Sequence, residues 1–164
     1  IGEGQTISQP YIVAVMTEQL ELQPEDRVLE VGTGSGYQAA LLAELAGSVI
    51  SIERLASLAD QAHKNLARAG VTGVQVVVGD GTEGYPPEAP YDAIIVTAAS
   101  PGIPQPLIDQ LAEGGRLIAP VGPRECQDLI KLVKRKGRVE SIPLGGVCFV
   151  PLIGQFGWRG EDSS

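Results

Sequence analysis

The sequence predicts an α/β fold: a single doubly wound, mostly parallel sheet with helices on both faces and a C-terminal antiparallel hairpin. Three observations predict it. Short runs of β-formers alternate with Ala/Leu-rich helical stretches along most of the chain. The runs are continuous, as in Val74 to Val78 (VQVVV), rather than alternating apolar with polar, which is the pattern of strands buried on both sides. After Val121 the helical stretches stop, and two strand-like segments flank Lys136-Gly137.

Each element has its own signal. Pro10 to Leu20 (PYIVAVMTEQL) reads as a helix with Pro10 in its first turn, where a missing N–H costs nothing. Gln23 to Asp26 is a turn, Arg27 to Val31 the first strand, and Gly32 to Gly36 the loop after it. Tyr37 to Ala46 is a helix closed by Gly47, and Ser48 to Ile52 the second strand. Leu55 to Ala69 is a helix punctuated by Gly70, and Val74 to Val78 is the third strand. A Pro-rich connection, Pro86 to Pro90, leads to a fourth strand at Ala93 to Thr97. Pro104 to Leu111 is expected as a short helix ended by Gly114-Gly115, with Arg116 to Val121 the fifth strand. Asp128 to Arg135 and Val139 to Pro151 make the hairpin, whose strand order the sequence leaves open.

Composition bounds the rest. A chain of 164 residues, 43% hydrophobic and 20% charged, reads as one globular domain over residues 1–158 with a frayed tail, Arg159 to Ser164. Its 21 Gly and 12 Pro exclude a coiled coil. Twenty acids against twelve bases give a net charge of −8, which argues against nucleic acid and anionic membranes as partners. Cys126 and Cys148 carry no zinc spacing, so no metal is expected; they read as free thiols of a cytoplasmic protein. The chain opens on Ile1 rather than Met, as a fragment or a processed form would.

Ligands of open α/β sheets bind past the carboxyl ends of the strands. After the first strand comes Glu30-Val31-Gly32-Thr33-Gly34-Ser35-Gly36, whose glycines at every second position let backbone N–H groups approach a ligand closely. Dinucleotide folds use G-x-G-x-x-G instead, and a carboxylate at Glu30 would repel a pyrophosphate while favouring an ammonium or sulfonium group. Glu53, with Arg54 beside it, ends the second strand, where an acid can accept both ribose hydroxyls of a nucleoside. The plainer reading of Glu53 is a helix-start acid. Gly79-Asp80-Gly81 comes after the third strand; Asp80 could meet an adenine amine with the glycines clearing room, or could simply form an Asp-Gly turn.

The chain resembles the class I S-adenosylmethionine-dependent methyltransferases, which are Rossmann-like, and among them the protein-L-isoaspartate (D-aspartate) O-methyltransferases. The residues that carry the resemblance are Gly4 to Pro10 (GQTISQP), Val28 to Leu45, Val78 to Ala99, Gly114 to Gly122 and Phe149 to Gly154 (FVPLIG). The first and last of these motifs are the specific ones. The family normally carries a leading helical segment before Gly4.

The resemblance implies a repair enzyme that methylates the free α-carboxylate of isoaspartyl residues in aged peptides and proteins, with S-adenosylmethionine as cofactor and S-adenosylhomocysteine as product. It places Thr6 and Ile7 in the cofactor loop and Ser8 beside the methyl, as the catalytic residue that orients the substrate carboxylate. Ser8 is also a good cap for the helix beginning at Pro10. Thr97-Ala98, and Val150-Pro151-Leu152 on the far wall, are the expected substrate-facing residues, with hairpin packing as the plain alternative for the latter. Tyr11 either reaches the pocket or packs. His63 reads as a solvated helix residue, Trp158 as a packing anchor, and the Lys131 to Arg138 basic run as a solvated hairpin face. A monomer is expected. The rival readings are a methyltransferase for another acceptor, a cofactor-binding protein without turnover, and a nicotinamide enzyme.

Overall fold

The computed structural model describes residues 10–160. Its elements run α1 (Pro10–Gln19), β1 (Arg27–Val31), α2 (Tyr37–Leu45), β2 (Ser48–Glu53), α3 (Ala56–Arg68), β3 (Val74–Val78), β4 (Tyr91–Val96), α4 (Gln105–Asp109), β5 (Leu111–Val121), β6 (Gln127–Arg135) and β7 (Arg138–Val147). Two 3₁₀ turns, Gly81–Glu83 and Pro86–Glu88, lie between β3 and β4.

These strands form one sheet in the order β3-β2-β1-β4-β5-β6-β7. The first five are parallel; β6 and β7 add as an antiparallel meander, which settles the order left open by the sequence. The chain winds outward from β1 to β3, then crosses back to β4 on the other side of β1. That reversal puts the switch point between β1 and β4, and a crevice opens there at the carboxyl ends.

Both faces of the sheet are buried, as the continuous Val/Ile runs require. On one face, Val28, Val49, Ala93, Ile95 and Ile118 pack with Met16 of α1, Leu20 just after it and Leu42 of α2. Ala59 and Leu66 of α3 extend that layer over Val76. On the other, Leu29, Ile50, Ile94, Val96 and Leu117 pack with Leu107 of α4 and with Leu152.

The strand β5 departs from expectation. It begins at Leu111, and Gly114-Gly115 lie inside it rather than ending a helix over Pro104 to Leu111. Tyr91 pairs with Leu111 while Ala93 pairs with Arg116, so β5 carries a bulge across this stretch. Gly114 takes φ +78°, and a Cβ on Gly115 would lie 2.8 Å from the Ala112 carbonyl oxygen. The glycines serve the bulge, which a linear scan reads as a stop signal. The hairpin's second strand also ends earlier than expected, at Val147 rather than Pro151. Its turn, Lys136-Gly137, has φ of +53° and +73°, the pair of positive angles a tight two-residue hairpin needs.

Arg116 pins α1 to the sheet. Its Nε donates to Leu20 O at 2.6 Å, and one terminal nitrogen donates to Glu21 O at 2.9 Å and to Asp26 at 2.8 Å. Two of those acceptors are carbonyls just past the C-terminus of α1, where a cation also meets the negative end of the helix dipole.

Candidate active site

A cavity lies at the switch point. Its floor and sides come from Val31 to Ser35 after β1, Ile52 to Leu55 after β2, Gly81 after β3, Thr97-Ala98 after β4, and Val150 to Ile153 beyond β7. Val13 of α1 and Tyr37-Gln38 of α2 complete it. The segments after β1 to β4 reach one place because parallel strands share a carboxyl end.

The glycine loop is shaped by need. Gly32, Gly34 and Gly36 all take left-handed φ, +99°, +54° and +91°. At Gly32 a Cβ would also sit 2.6 Å from the Thr97 hydroxyl. That hydroxyl donates to Gly32 O at 2.9 Å and Val31 O at 3.1 Å, which locks the β1 loop to the end of β4. Thr97 therefore lines the cavity while its donor is spent on the scaffold.

Glu53 is buried, 7% exposed, and faces the loop. Its Oε1 accepts the Gly34 N–H at 3.0 Å and its Oε2 accepts the Leu55 N–H at 3.1 Å. Each carboxylate oxygen keeps a lone pair for a further donor, such as a hydroxyl in the cavity. One side chain thus sets the loop's position and offers acceptors to a ligand.

Glu30 lies beneath the cavity rather than in its lining, at 0% exposure. Ser51 Oγ donates to its Oε1 at 2.5 Å, and Thr33 Oγ1 contacts Ser51 Oγ at 2.6 Å. Its Oε2 has no partner among the described residues. Burial pushes the Glu30 carboxyl up to about 8; the Ser51 hydrogen bond opposes the rise and the Glu53 charge adds to it. At neutral pH Glu30 is mostly protonated, and a nearby cation would favour its ionised form.

The predicted residues divide accordingly. Gly32, Thr33, Gly34, Ser35, Glu53, Arg54, Gly81, Thr97, Ala98, Val150, Pro151 and Leu152 converge on the cavity. Gly36 instead packs toward Ala62 and Leu66 of α3. Asp80 and Gly79 are outside the lining. Asp80 caps the first 3₁₀ turn, accepting from Thr82 N at 2.9 Å and Thr82 Oγ1 at 2.6 Å, and takes the Gln155 N–H at 2.9 Å. Thr6, Ile7 and Ser8 lie outside the described residues. Val13 and Leu55, apolar side chains with no motif signal, line the cavity beyond the sequence expectation, as do Tyr37, Gln38 and Ile153, which lie inside the Val28 to Leu45 and Phe149 to Gly154 motifs and could have been drawn from them.

The far wall is tied to the sheet. Ala99 N donates to Val150 O at 2.7 Å and Leu152 N to Ala99 O at 2.6 Å, so the 150–152 segment runs as a short parallel bridge beside the end of β4. Trp158 anchors the turn beyond this wall: its backbone N–H donates to Leu152 O at 2.8 Å, and the Arg124 guanidinium lies 4.9 Å from its ring. His63 is exposed on α3. The basic run is only partly a solvated face. Lys131 is buried and paired with Glu21 at 2.7 Å, and Lys134 donates to Ile108 O and Leu111 O at the end of α4. Three apart in β6, Lys131 and Lys134 point to opposite faces of the sheet, and both faces are covered there, by the α1 end and the α4 end respectively.

The fold is the doubly wound sheet also seen in S-adenosylmethionine-dependent methyltransferases. A SAM-dependent O-methyltransferase of Thermotoga maritima superimposes with a TM-score of 0.64 at 21% identity, over 88% of this chain and 63% of that one. The profile of the protein-L-isoaspartate(D-aspartate) O-methyltransferase (PCMT) family matches residues 1–157, and the chain belongs to that family.

The protein-L-isoaspartate O-methyltransferase of Methanoculleus marisnigri is 82% identical over 163 residues, 99% of this chain and 74% of that protein. Its counterpart in Pyrococcus horikoshii is 55% identical over 97% of this chain and 74% of its own length. Among solved structures, a protein-L-isoaspartate O-methyltransferase superimposes with a TM-score of 0.87 at 32% identity, over 96% of this chain and 52% of that one. A Plasmodium falciparum protein assigned to the same family, solved with S-adenosyl-L-homocysteine, gives 0.80 at 30%, over 93% and 78%. The chain thus spans about three-quarters of the length of these curated relatives.

Proposed function

We propose that this chain transfers the methyl of S-adenosylmethionine to the free α-carboxylate of L-isoaspartyl, and also D-aspartyl, residues in aged proteins. The observation that carries the reading is the crevice between Gly32-Gly34 and Thr97-Ala98, with Glu53 presented at its edge. The residues fit the cofactor. Glu53 has spare acceptor capacity for ribose hydroxyls, and the unpartnered Glu30 Oε2 marks a place where positive charge is favourable.

The bound cofactor supplies an electrophilic methyl on a sulfonium. The chain's own residues do the rest. Glu53 would hold the ribose, and the Gly32 to Ser35 backbone, with Thr33 and Gly36 fixing its course, would accommodate the amino-acid end. Asp80 and Gly79 precede and fix the turn that brings Gly81 to the cavity, and Gly81 and Arg54 would border the cofactor there. Thr6 and Ile7 would join the cofactor-binding set, as the family pattern implies. Val150, Pro151 and Leu152 wall off water on the substrate side.

The acceptor carboxylate has a pKa near ~4 and is ionised at pH 7, so no general base is required. That agrees with a chain whose one histidine, His63, stands exposed on α3. Catalysis is then placement. The role that the family pattern gives Ser8 is to orient the nucleophile toward the methyl, and such positioning can supply roughly 7–11 kcal/mol.

One extra main-chain methylene is worth only about 1–3 kcal/mol in a pocket. Stronger rejection of normal aspartate comes from peptide hydrogen bonds left unpaired when the register is wrong. The chain acts as a cytoplasmic monomer on protein and peptide substrates, without nucleic-acid or membrane partners, in keeping with its net charge of −8.

The test is transfer of labelled methyl to an isoaspartyl peptide and its aspartyl twin, with Ser8→Ala alongside. The reading predicts label on the isoaspartyl peptide and a marked loss in the variant. Equal labelling of the twins, or turnover indifferent to Ser8→Ala, would refute it.

A further inference from the structure

The geometry points to a thiol–disulfide site on the outer strands: Cys126 and Cys148 form a reversible intramolecular disulfide at the root of the cavity wall. No step of the proposed methyl transfer uses either residue. Strands β6 and β7 pair with Gln127 opposite Val147. Carried one residue outward, that register sets Cys126 opposite Cys148, though the two are 22 residues apart in sequence. Opposed residues of an antiparallel pair hold their Cβ atoms about 4.5–5.5 Å apart, close to the spacing a disulfide spans. Both cysteines are free and exposed, and their sulfurs touch. The site therefore offers proximity, register and access together.

The pair is joined to the cavity. Buried Gln127 donates to Pro123 O at 2.8 Å and Arg124 O at 3.2 Å, and its Oε1 accepts the Phe149 N–H at 2.8 Å. Phe149 leads directly into the Val150 to Ile153 wall. A covalent link at Cys148 restrains the chain just before that wall.

The oxidant is a low-molecular-weight disulfide. A thiolate of the pair attacks one of its sulfurs, forming a mixed disulfide and releasing one small thiolate. The second cysteine, deprotonated to solvent, then attacks the protein sulfur of the mixed disulfide. The protein S–S bond forms, the second small thiolate leaves, and both leaving groups take up the protons released. Two protein thiols are oxidised and one small disulfide is reduced to two thiols.

The experiment equilibrates the purified protein with glutathione buffers of rising oxidised fraction, quenches with maleimide, and reads intact mass and non-reducing electrophoresis. The two thiols are expected to vanish together, with loss of two hydrogens and no dimer, and to return with dithiothreitol. Cys126→Ser is expected to stop at a glutathione adduct on Cys148, and Cys148→Ser at an adduct on Cys126. Two stable adducts on the native protein, intermolecular dimers, or thiols that stay free at every ratio would each overturn the proposal. An effect on S-adenosylmethionine affinity rests on the function proposed above; the thiol count does not, so the two can fail separately.

Discussion

Ser51 donates a 2.5 Å hydrogen bond to one oxygen of Glu30 and leaves the other without a partner among the described residues, at a depth where Glu30 has no exposure at all. Burial raises this carboxyl to about 8, against an ordinary 4.5, and Ser51 links it to Thr33 of the loop that lines the crevice. The sign of its effect on stability depends on which state holds the proton. Between about 4.5 and 8 the folded protein keeps a proton that the unfolded chain has lost, so Glu30's contribution is full below 4.5 and is lost as pH rises through 8. Glu30→Gln removes this term. The difference in unfolding free energy between variant and parent should move in the variant's favour by a few kcal/mol from pH 4.5 to pH 8, as read from denaturant melts. A pH-independent difference would contradict it.

Binding of a cation above Glu30 should expel the same proton. Calorimetric titration of S-adenosylmethionine at pH 7, in two buffers of unlike ionisation enthalpy, should show proton release. Glu30→Gln should abolish it. Identical enthalpies in both buffers for the parent would count against Glu30 as the electrostatic partner of the ligand.

Glu53 combines two jobs, and its variants should separate them. Glu53→Ala strands the Gly34 and Leu55 N–H groups as well as the ribose, so cofactor affinity should fall roughly 10–100-fold, the equivalent of one to two hydrogen bonds to a charged group. Glu53→Gln keeps one carbonyl acceptor and should fall between. Equal affinity in all three proteins would remove Glu53 from the site.

Gly32→Ala meets both a φ of +99° and the Thr97 hydroxyl at 2.6 Å. It should cost about 1–3 kcal/mol of stability from the backbone angle alone, plus the clash. Adding Thr97→Ala should recover the clash and leave the backbone cost. A double variant as stable as the Thr97→Ala single variant would show that the left-handed angle is not required.

Arg116→Ala should destabilise by roughly 2–4 kcal/mol, because Asp26 and the carbonyls of Leu20 and Glu21 lose a shared donor. Lysine should recover little, lacking the fork that reaches all three. Thermal melts check both, and cofactor affinity of the folded protein should hold, since Arg116 lies away from the cavity.

Much of this was legible in the residues. Strands β1 and β3 begin and end where their β-former runs do, and the alternating glycines, Glu53 and the Thr97-Ala98 strand end all reach the crevice or its immediate frame. The misses share a cause: side-chain direction and long-range pairing carry no local signal. Gly114-Gly115 spell a helix stop in sequence and form a strand bulge only because Tyr91 and Ala93 pair with Leu111 and Arg116. Asp80 has the neighbours of a ligand acid, and the structure adds a second use that no local signal shows: it accepts from Thr82 and from the Gln155 N–H, 75 residues away. Lys131 reads as one more surface base and lies on the sheet face that the end of α1 covers, where it meets Glu21.

Co-crystallisation with S-adenosylhomocysteine is the most direct measurement. Density for the nucleoside between Gly34 and Ala98, with its ribose hydroxyls on the Glu53 carboxylate, is the predicted result. A crevice left empty at saturating ligand, or the nucleoside bound on another surface, would contradict the account.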